Sequence, residues 1–210
     1  MIDIREVTKV YGKHTVLSNV SAQMEPGKTY GLVGVNGSGK TTLMRCICGL
    51  TRPTKGAIFV NGDEIGRDVD FPRKTGMIIE TPGFLPHYSG LRNLLLLAGI
   101  SHGADKARAQ QVMRLLRLDP DDRKPVGQYS LGMRQRLGIA QAIMEDPDIL
   151  ILDEPFNGMD QEGMEEIHSL LNALKAKGKT ILLASHSAAD ISRACDVVFE
   201  IKDGVLSEKQ

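Results

Sequence analysis

Apolar and polar positions change period twice along this chain, and the changes divide it into three stretches. Near the start the rhythm is short. Residues 2–10 alternate apolar with polar side chains, which predicts a strand with one buried face, and residues 17–24 follow the same pattern. Thr29-Tyr30-Gly31-Leu32-Val33 predicts a short buried strand. Residues 42–48 read as a helix stopped by Gly49, and residues 56–60 as a strand running into the turn Asn61-Gly62. The middle stretch turns helical. Residues 91–98 and 106–118 predict helices, the second with Val112, Leu115 and Leu116 on one stripe and an end at Asp119-Pro120. After Ser130, the apolar residues Leu137, Ala140 and Ile143 recur at helical spacing up to Pro147. The last stretch is α/β again. Ile149-Leu150-Ile151-Leu152 is a continuous apolar run, as a strand covered on both faces requires. A helix is predicted over 161–177, with Met164, Ile167, Leu170, Leu171 and Leu174 inward and Gly178 as its stop. A buried strand over 180–184 and a hairpin turning at Lys202-Asp203-Gly204 close the chain. This order predicts a parallel-sheet core formed by residues 1–84 and 148–210, split by a helical insert over 85–147.

Composition narrows the classes of function. A length of 210 residues suits one domain, or one core with an inserted subdomain. With 26 basic and 26 acidic residues the formal charge is zero, so nothing marks a surface for nucleic acid, and no such partner is expected. The longest apolar run, residues 94–100, falls well short of the roughly 20 residues that cross a bilayer. The start, Met1-Ile2-Asp3-Ile4-Arg5, lacks the basic leader and apolar segment of a signal peptide, which leads to an expected cytosolic location. Cys46 and Cys48 lie two apart on a predicted helix, where their side chains diverge. With Cys195 they read as buried reduced thiols, and their spacing implies no metal site.

The chemistry concentrates in one segment. Gly34-Val35-Asn36-Gly37-Ser38-Gly39-Lys40-Thr41 fits the phosphate-loop pattern G-x-x-x-x-G-K-[ST], with a predicted strand before it and a predicted helix after it. That arrangement turns backbone N–H groups and a helix dipole toward one anion. Glycines at 34, 37 and 39 let the backbone approach phosphate oxygens, Lys40 would reach the β- and γ-phosphates, and the Thr41 hydroxyl would ligate Mg²⁺. Asp153 and Glu154 follow the apolar strand 149–152. In open α/β sheets ligands lie at the carboxyl ends of strands, so both acids are expected near the loop. Asp153 would hold the hydration shell of Mg²⁺, and Glu154 would orient or deprotonate an attacking water.

Tyr129-Ser130-Leu131-Gly132-Met133-Arg134-Gln135-Arg136-Leu137 resembles the signature segment of ABC-type ATPases, whose commonest form is Leu-Ser-Gly-Gly-Gln. Ser130 and Gly132 match, whereas Leu131 and Met133 depart from it. Other landmarks follow in the family's order. Tyr11 matches the aromatic residue that stacks on adenine, although a lone tyrosine there also suits a surface strand end. Asn157-Gly158-Met159-Asp160 resembles the D-loop, with Asp160 its acid, and His186 matches the switch histidine at the γ-phosphate. The family places a glutamine where this chain has Glu80. That glutamate, with Tyr-Ser-Leu-Gly-Met and Glu-Pro-Phe-Asn-Gly, resembles the bacitracin-resistance and lantibiotic self-protection branch of exporters.

The resemblance implies a P-loop NTPase (RecA-like) α/β core with an N-terminal antiparallel β subdomain and an inserted helical subdomain. It implies ATP and Mg²⁺ as ligands. Nucleotide contacts would come from Tyr11, Gly34, Asn36, Gly37, Ser38, Gly39, Lys40, Thr41 and Thr42, and also from Ser130, Gly132 and Asp160. Glu154, His186 and Glu80 would be catalytic, and Thr41, Glu80 and Asp153 would serve the metal, Asp153 through water. Ser130 and Gly132 would close on the γ-phosphate of a second copy, in a head-to-tail pair. The implied whole is an ATP-hydrolysing subunit on the inner face of the cell membrane, powering separate permease subunits, with export of a peptide or drug-like compound expected. Phe84, Leu85, Tyr88 and Leu91 suit either a docking surface for those subunits or packing of the insert. The alternative is a soluble ABC-type ATPase acting on nucleic acid or the ribosome. DNA-repair members insert a long coiled coil before the signature, and the interval here is short and lacks heptads.

Overall fold

Strands and helices follow one another much as the alternation predicts. The computed structural model describes residues 1–101 and 105–209. Strands β1 (Ile2–Tyr11) and β2 (His14–Met24) precede the buried strand β3 (Thr29–Val33) and helix α1 (Lys40–Ile47). Strands β4 (Lys55–Val60), β5 (Asp63–Glu64) and β6 (Thr75–Ile78) lead into helices α2 (Gly90–Ser101), α3 (Lys106–Leu115) and α4 (Leu131–Ile143). Strand β7 (Ile149–Asp153), helix α5 (Gln161–Ala176), strand β8 (Thr180–Ala184), helix α6 (Ala188–Ala194) and strands β9 (Val197–Lys202) and β10 (Val205–Lys209) complete it.

Two sheets result. A four-stranded antiparallel sheet runs β2-β1-β4-β5, and a six-stranded sheet runs β10-β9-β3-β8-β7-β6. In the larger sheet, β9, β3, β8, β7 and β6 are parallel to their neighbours, and β10 pairs antiparallel at one edge. Both faces of that sheet are covered, which is why its strands read as unbroken apolar runs. Ile149 and Ile151 join a core with Ile2, Ile4, Leu43 and Ile58 on the side of the small sheet and α1. Leu150 and Leu152, of opposite parity, join a second core with Leu94, Val112, Leu137 and Ile167. In β1 the buried positions step from Ile2 and Ile4 to Val7, and a register shift between Ile4 and Val7 accompanies Glu6 at φ 50°. This bulge absorbs the extra residue and keeps the apolar side chains on one face.

Several boundaries differ from expectation: β2 begins at His14 and not at residue 17, and α2 runs Gly90–Ser101 where 91–98 is predicted. Helix α3 ends at Leu115, not at residue 118, because Arg117 adopts φ 57° and the Leu118 N–H turns back to the Met113 carbonyl. Its inward stripe is therefore Ala109, Val112, Met113 and Leu116, while Leu115 is 57% exposed. Strand β6 ends at Ile78, so Glu80 lies in the loop beyond it. Phe84 and Leu91 pack against the second core, whereas Leu85 is exposed. No described helix is long and apolar enough to cross a membrane. Burial pushes the Cys46 thiol up to about 11 and the Cys48 thiol to about 12, as suits apolar core residues.

Candidate nucleotide site

Among the described residues, the α-helices other than α1 cap their first turn with a side chain: Ser89 on α2, Asp105 on α3, Ser130 on α4, Asp160 on α5 and Ser187 on α6. Helix α1 does not. Its cap residue is Gly39, with no side-chain hydrogen bond, so the first-turn N–H groups remain for a ligand. The loop before it is shaped for close approach. Gly34 has φ 153° and Gly39 φ 114°; a Cβ on Gly34 would lie 2.6 Å from the Ser38 hydroxyl, and one on Gly39 would lie 2.9 Å from the Val16 carbonyl oxygen. Ser38 is buried, and its hydroxyl has no hydrogen-bond partner. The Lys40 ammonium is also buried and donates to the Gly34 and Val35 carbonyls at 2.6 and 3.2 Å. A buried cation held by loop carbonyls, an orphan hydroxyl and an uncapped helix end make a cradle for phosphate oxygens.

One residue further on, the Thr41 hydroxyl donates to Asp153 Oδ2 at 2.8 Å, joining α1 to the end of β7. Asp153 is 6% exposed. Hydroxyl and carboxylate are hard oxygen donors, the set that suits Mg²⁺, so these two residues fit the expected ion. Thr42 follows on the first turn, partly buried, while Asn36 and Gly37 are exposed at the loop's tip. A cavity of about 410 Å³ opens there, lined by Asn36, Gly37 and Ser38 on one side and His14, Thr15 and Val16 on the other. His14 is the register partner of Tyr11 across the β1–β2 hairpin, so Tyr11 sits on the hairpin that forms one wall. Tyr11 is 47% exposed, with the Lys9 ammonium 4.7 Å from its ring centre, and it can offer a ring face to a ligand.

Glu154 lies one residue past β7 with φ 49°, a region that costs a non-glycine residue about 1–3 kcal/mol. Besides a local bond from the Asn157 N–H to its carbonyl, contacts across the fold hold it. Its N–H donates to the Ala184 carbonyl at 2.9 Å, its carbonyl accepts from Gln135 Nε2 at 3.1 Å, and Oε2 meets His186 Nδ1 at 2.8 Å. The last contact brings together two predicted site residues separated by β8 and α5. Gln135 was not anticipated. Its signal is a polar residue on the stripe Gln135, Gly138, Ile139 and Ala142, all buried on α4.

Beneath this turn, His168 of α5 is 3% exposed and stacks on Phe156 with ring centres 4.5 Å apart. Burial holds its pKa below the ordinary 6.5, the Arg193 charge adds to that, and Asp190 opposes it. Because the folded state favours the neutral ring, stability from this site is present above pH 6.5 and is lost as pH falls from there toward the folded value. The melting temperature should therefore drop as pH falls below 6.5, and His168→Gln should flatten that part of the profile; an unchanged slope would refute the assignment.

The signature segment meets the D-loop directly. Ser130 Oγ accepts from the Met133 N–H at 3.2 Å and caps α4, and a Cβ on Gly132 would stand 2.6 Å from the Gly158 carbonyl oxygen. Leu131 packs over Gly158 while staying 51% exposed. Asp160 accepts from the Gly163 N–H at 2.9 Å and caps α5. Ser130, Gly132 and Asp160 thus share one surface, formed by two adjoining helix starts. Glu80, by contrast, pairs with Arg45 of α1 at 2.8 Å. Among the described residues, no group of three His, Cys, Asp or Glu side chains is gathered as for a metal.

Residues 17–157 match the protein family described as ABC transporter. The whole chain is 41% identical to the uncharacterized ABC transporter ATP-binding protein YybJ of Bacillus subtilis (strain 168), of which it covers 96%. It is 40% identical over its full length to the bacitracin transport ATP-binding protein BcrA of Enterococcus faecalis, covering 68% of that protein. To the lantibiotic transport ATP-binding protein SrtF of Streptococcus pyogenes it is 37% identical over its full length, covering 91%. Among solved structures, a dimeric bacterial ABC transporter cassette aligns with a TM-score of 0.90 at 25% identity, over all of this chain and 98% of that one. The same cassette in a post-hydrolysis dimer bound to ADP and Pi aligns with a TM-score of 0.88 at 25% identity, over all of this chain and 98% of that one.

Proposed function

The chain belongs to the ABC transporter family, and from that premise we propose how its residues bind and hydrolyse ATP to drive a separate permease. The observation that carries the reading is the buried Lys40 ammonium and orphan Ser38 hydroxyl beside an uncapped helix end, with Thr41 bonded to Asp153 one residue away. The Gly34–Thr41 loop binds the phosphates, and Lys40 exchanges its two carbonyl partners for phosphate oxygens. Tyr11 stacks on the base, which is worth about 1–3 kcal/mol. Thr41 and Asp153 would hold Mg²⁺, and bound there the ion would supply positive charge against the phosphate oxygens.

Glu154 accepts a proton from the attacking water or orients it, and His186 fixes the Glu154 carboxylate by the 2.8 Å contact. Residues 85–147 act as a helical subdomain between β6 and β7, carrying Ser130 and Gly132 to the nucleotide of a second copy. Bacitracin and lantibiotic transport are the functions carried in the names of two relatives at 40% and 37% identity, so an antimicrobial peptide is the proposed cargo, moved outward. The subunit then works on the inner face of the cell membrane, attached through its permease. Nothing supports the soluble alternative, since the relatives are transporter subunits and the net charge is zero.

A composite site makes dimerisation depend on nucleotide. Glu154→Gln with ATP should double the mass seen by light scattering, while the same variant without ATP stays monomeric. A variant that stays monomeric at high protein and ATP concentration would sink the head-to-tail arrangement.

A further inference from the structure

The end of β1 that carries Tyr11 is fastened to residues 51–54, the segment after α1, by contacts that take no part in the reading above. The Thr54 N–H donates to the Thr8 carbonyl at 2.7 Å, and the Thr54 hydroxyl accepts from the Val10 N–H at 3.0 Å. Between these two residues, the Lys9 ammonium donates to the Arg52 carbonyl at 2.6 Å and stands over the Tyr11 ring, 4.7 Å from its centre. The Tyr11 hydroxyl lies 3.5 Å from Thr51 Oγ1. Ring and ammonium are thus held from one segment, the ring at its hydroxyl and the ammonium at a backbone carbonyl. A lysine ammonium is a compact charge on a flexible stem, so the carbonyl is what keeps it over the ring.

We infer that Lys9 is a positioning residue for the base: it occupies one face of the Tyr11 ring and holds the ring so that the opposite face is presented to adenine. The inference rests on the proposed stacking of the base on Tyr11. The ring is 47% exposed, which leaves a face for stacking when the other is taken. A cation on a ring face remains attractive at a partly exposed site, and here the ammonium keeps a carbonyl partner as well. The same contacts link the base to the phosphates. Helix α1 starts at the phosphate cradle, with Gly39 as its cap, and leads through Gly49 into residues 51–54. One helix therefore carries the cradle at its start and, just past its end, the segment that seats the ring.

Calorimetric titration of the purified chain with ATP and, in parallel, with inorganic tripolyphosphate tests this, because tripolyphosphate has no base. Lys9→Met keeps the apolar stem and should weaken ATP binding by about 2- to 5-fold, the scale of one exposed cation–π contact, while tripolyphosphate binding stays unchanged. Lys9→Gln, with the same loss of charge, should do likewise and covers the case in which the first variant folds poorly. Lys9→Arg should restore the affinity for ATP, since a guanidinium also stacks on an aromatic face. In a Tyr11→Ala background, Lys9→Met should have no further effect on ATP binding. Equal weakening toward ATP and tripolyphosphate would make Lys9 a residue of the fold alone and overturn the inference. Unchanged ATP affinity in both charge-removing variants would also overturn it, as would a Lys9 effect of equal size with and without Tyr11. Wild-type ATP affinity in Tyr11→Ala itself would refute the stacking reading, whatever the Lys9 variants do.

Discussion

Lys40→Met should abolish measurable ATP binding while leaving the chain folded. The methionine keeps the apolar stem that fills the buried position and removes only the ammonium. In the wild-type chain that ammonium donates to the Gly34 and Val35 carbonyls at 2.6 and 3.2 Å, so it stands at the centre of the loop with its donors directed inward. Each hydrogen bond to a charged group contributes about 1.5–3 kcal/mol, and each 1.4 kcal/mol is tenfold in affinity. Losing two such bonds to phosphate weakens binding by roughly 10²-fold to 10⁴-fold, beyond the range of ordinary titrations. Calorimetry with ATP, alongside a thermal melt of the same sample, checks it. A Lys40→Met chain that melts like the wild type and still binds ATP within tenfold of it would remove Lys40 from the site.

How much of this could be read beforehand depends on whether a residue's partner is local. The phosphate loop was legible because backbone approach to an anion demands glycine and lysine at fixed offsets, and the loop lies within eight consecutive residues. Strands β3, β7 and β8 were legible because burial on both faces leaves an unbroken apolar run. Ser130 was legible as a helix start, since it caps an N–H three residues ahead, whereas the same role of Asp160 on α5 was not read from the sequence. Partners across the fold were not legible. Gln135 reaches the Glu154 carbonyl only because α4 lies under the end of β7, and Arg45 meets Glu80 only because β6 is the neighbour of β7. The end of α3 was missed for a local reason: a left-handed stop is usually marked by glycine, and here Arg117 takes it. The bulge at Glu6 carries no sequence mark, since glutamate is an ordinary strand-surface residue.

Glu154→Gln should keep ATP bound and slow its turnover by about 10²-fold or more, the range lost with a general base or a water-positioning group. The substitution conserves size and removes the charge, leaving the contacts of the backbone at 154 with Ala184 and Gln135 in place. The phosphate cradle on the other side of Asp153 is untouched, so binding and chemistry should separate. His186 offers the complementary measurement. It touches Glu154 at 2.8 Å but is mostly exposed, so His186→Ala should cost turnover through the carboxylate it orients and little stability. If the two act as one unit, combining them should slow turnover scarcely more than Glu154→Gln alone, because the second change removes support from a group already disabled. Single-turnover ATP hydrolysis in the assembled complex, for both single variants and the double, decides it. Losses that multiply independently would make His186 a separate contributor, and ATP binding that collapses in Glu154→Gln would place this residue in binding instead of in the chemical step.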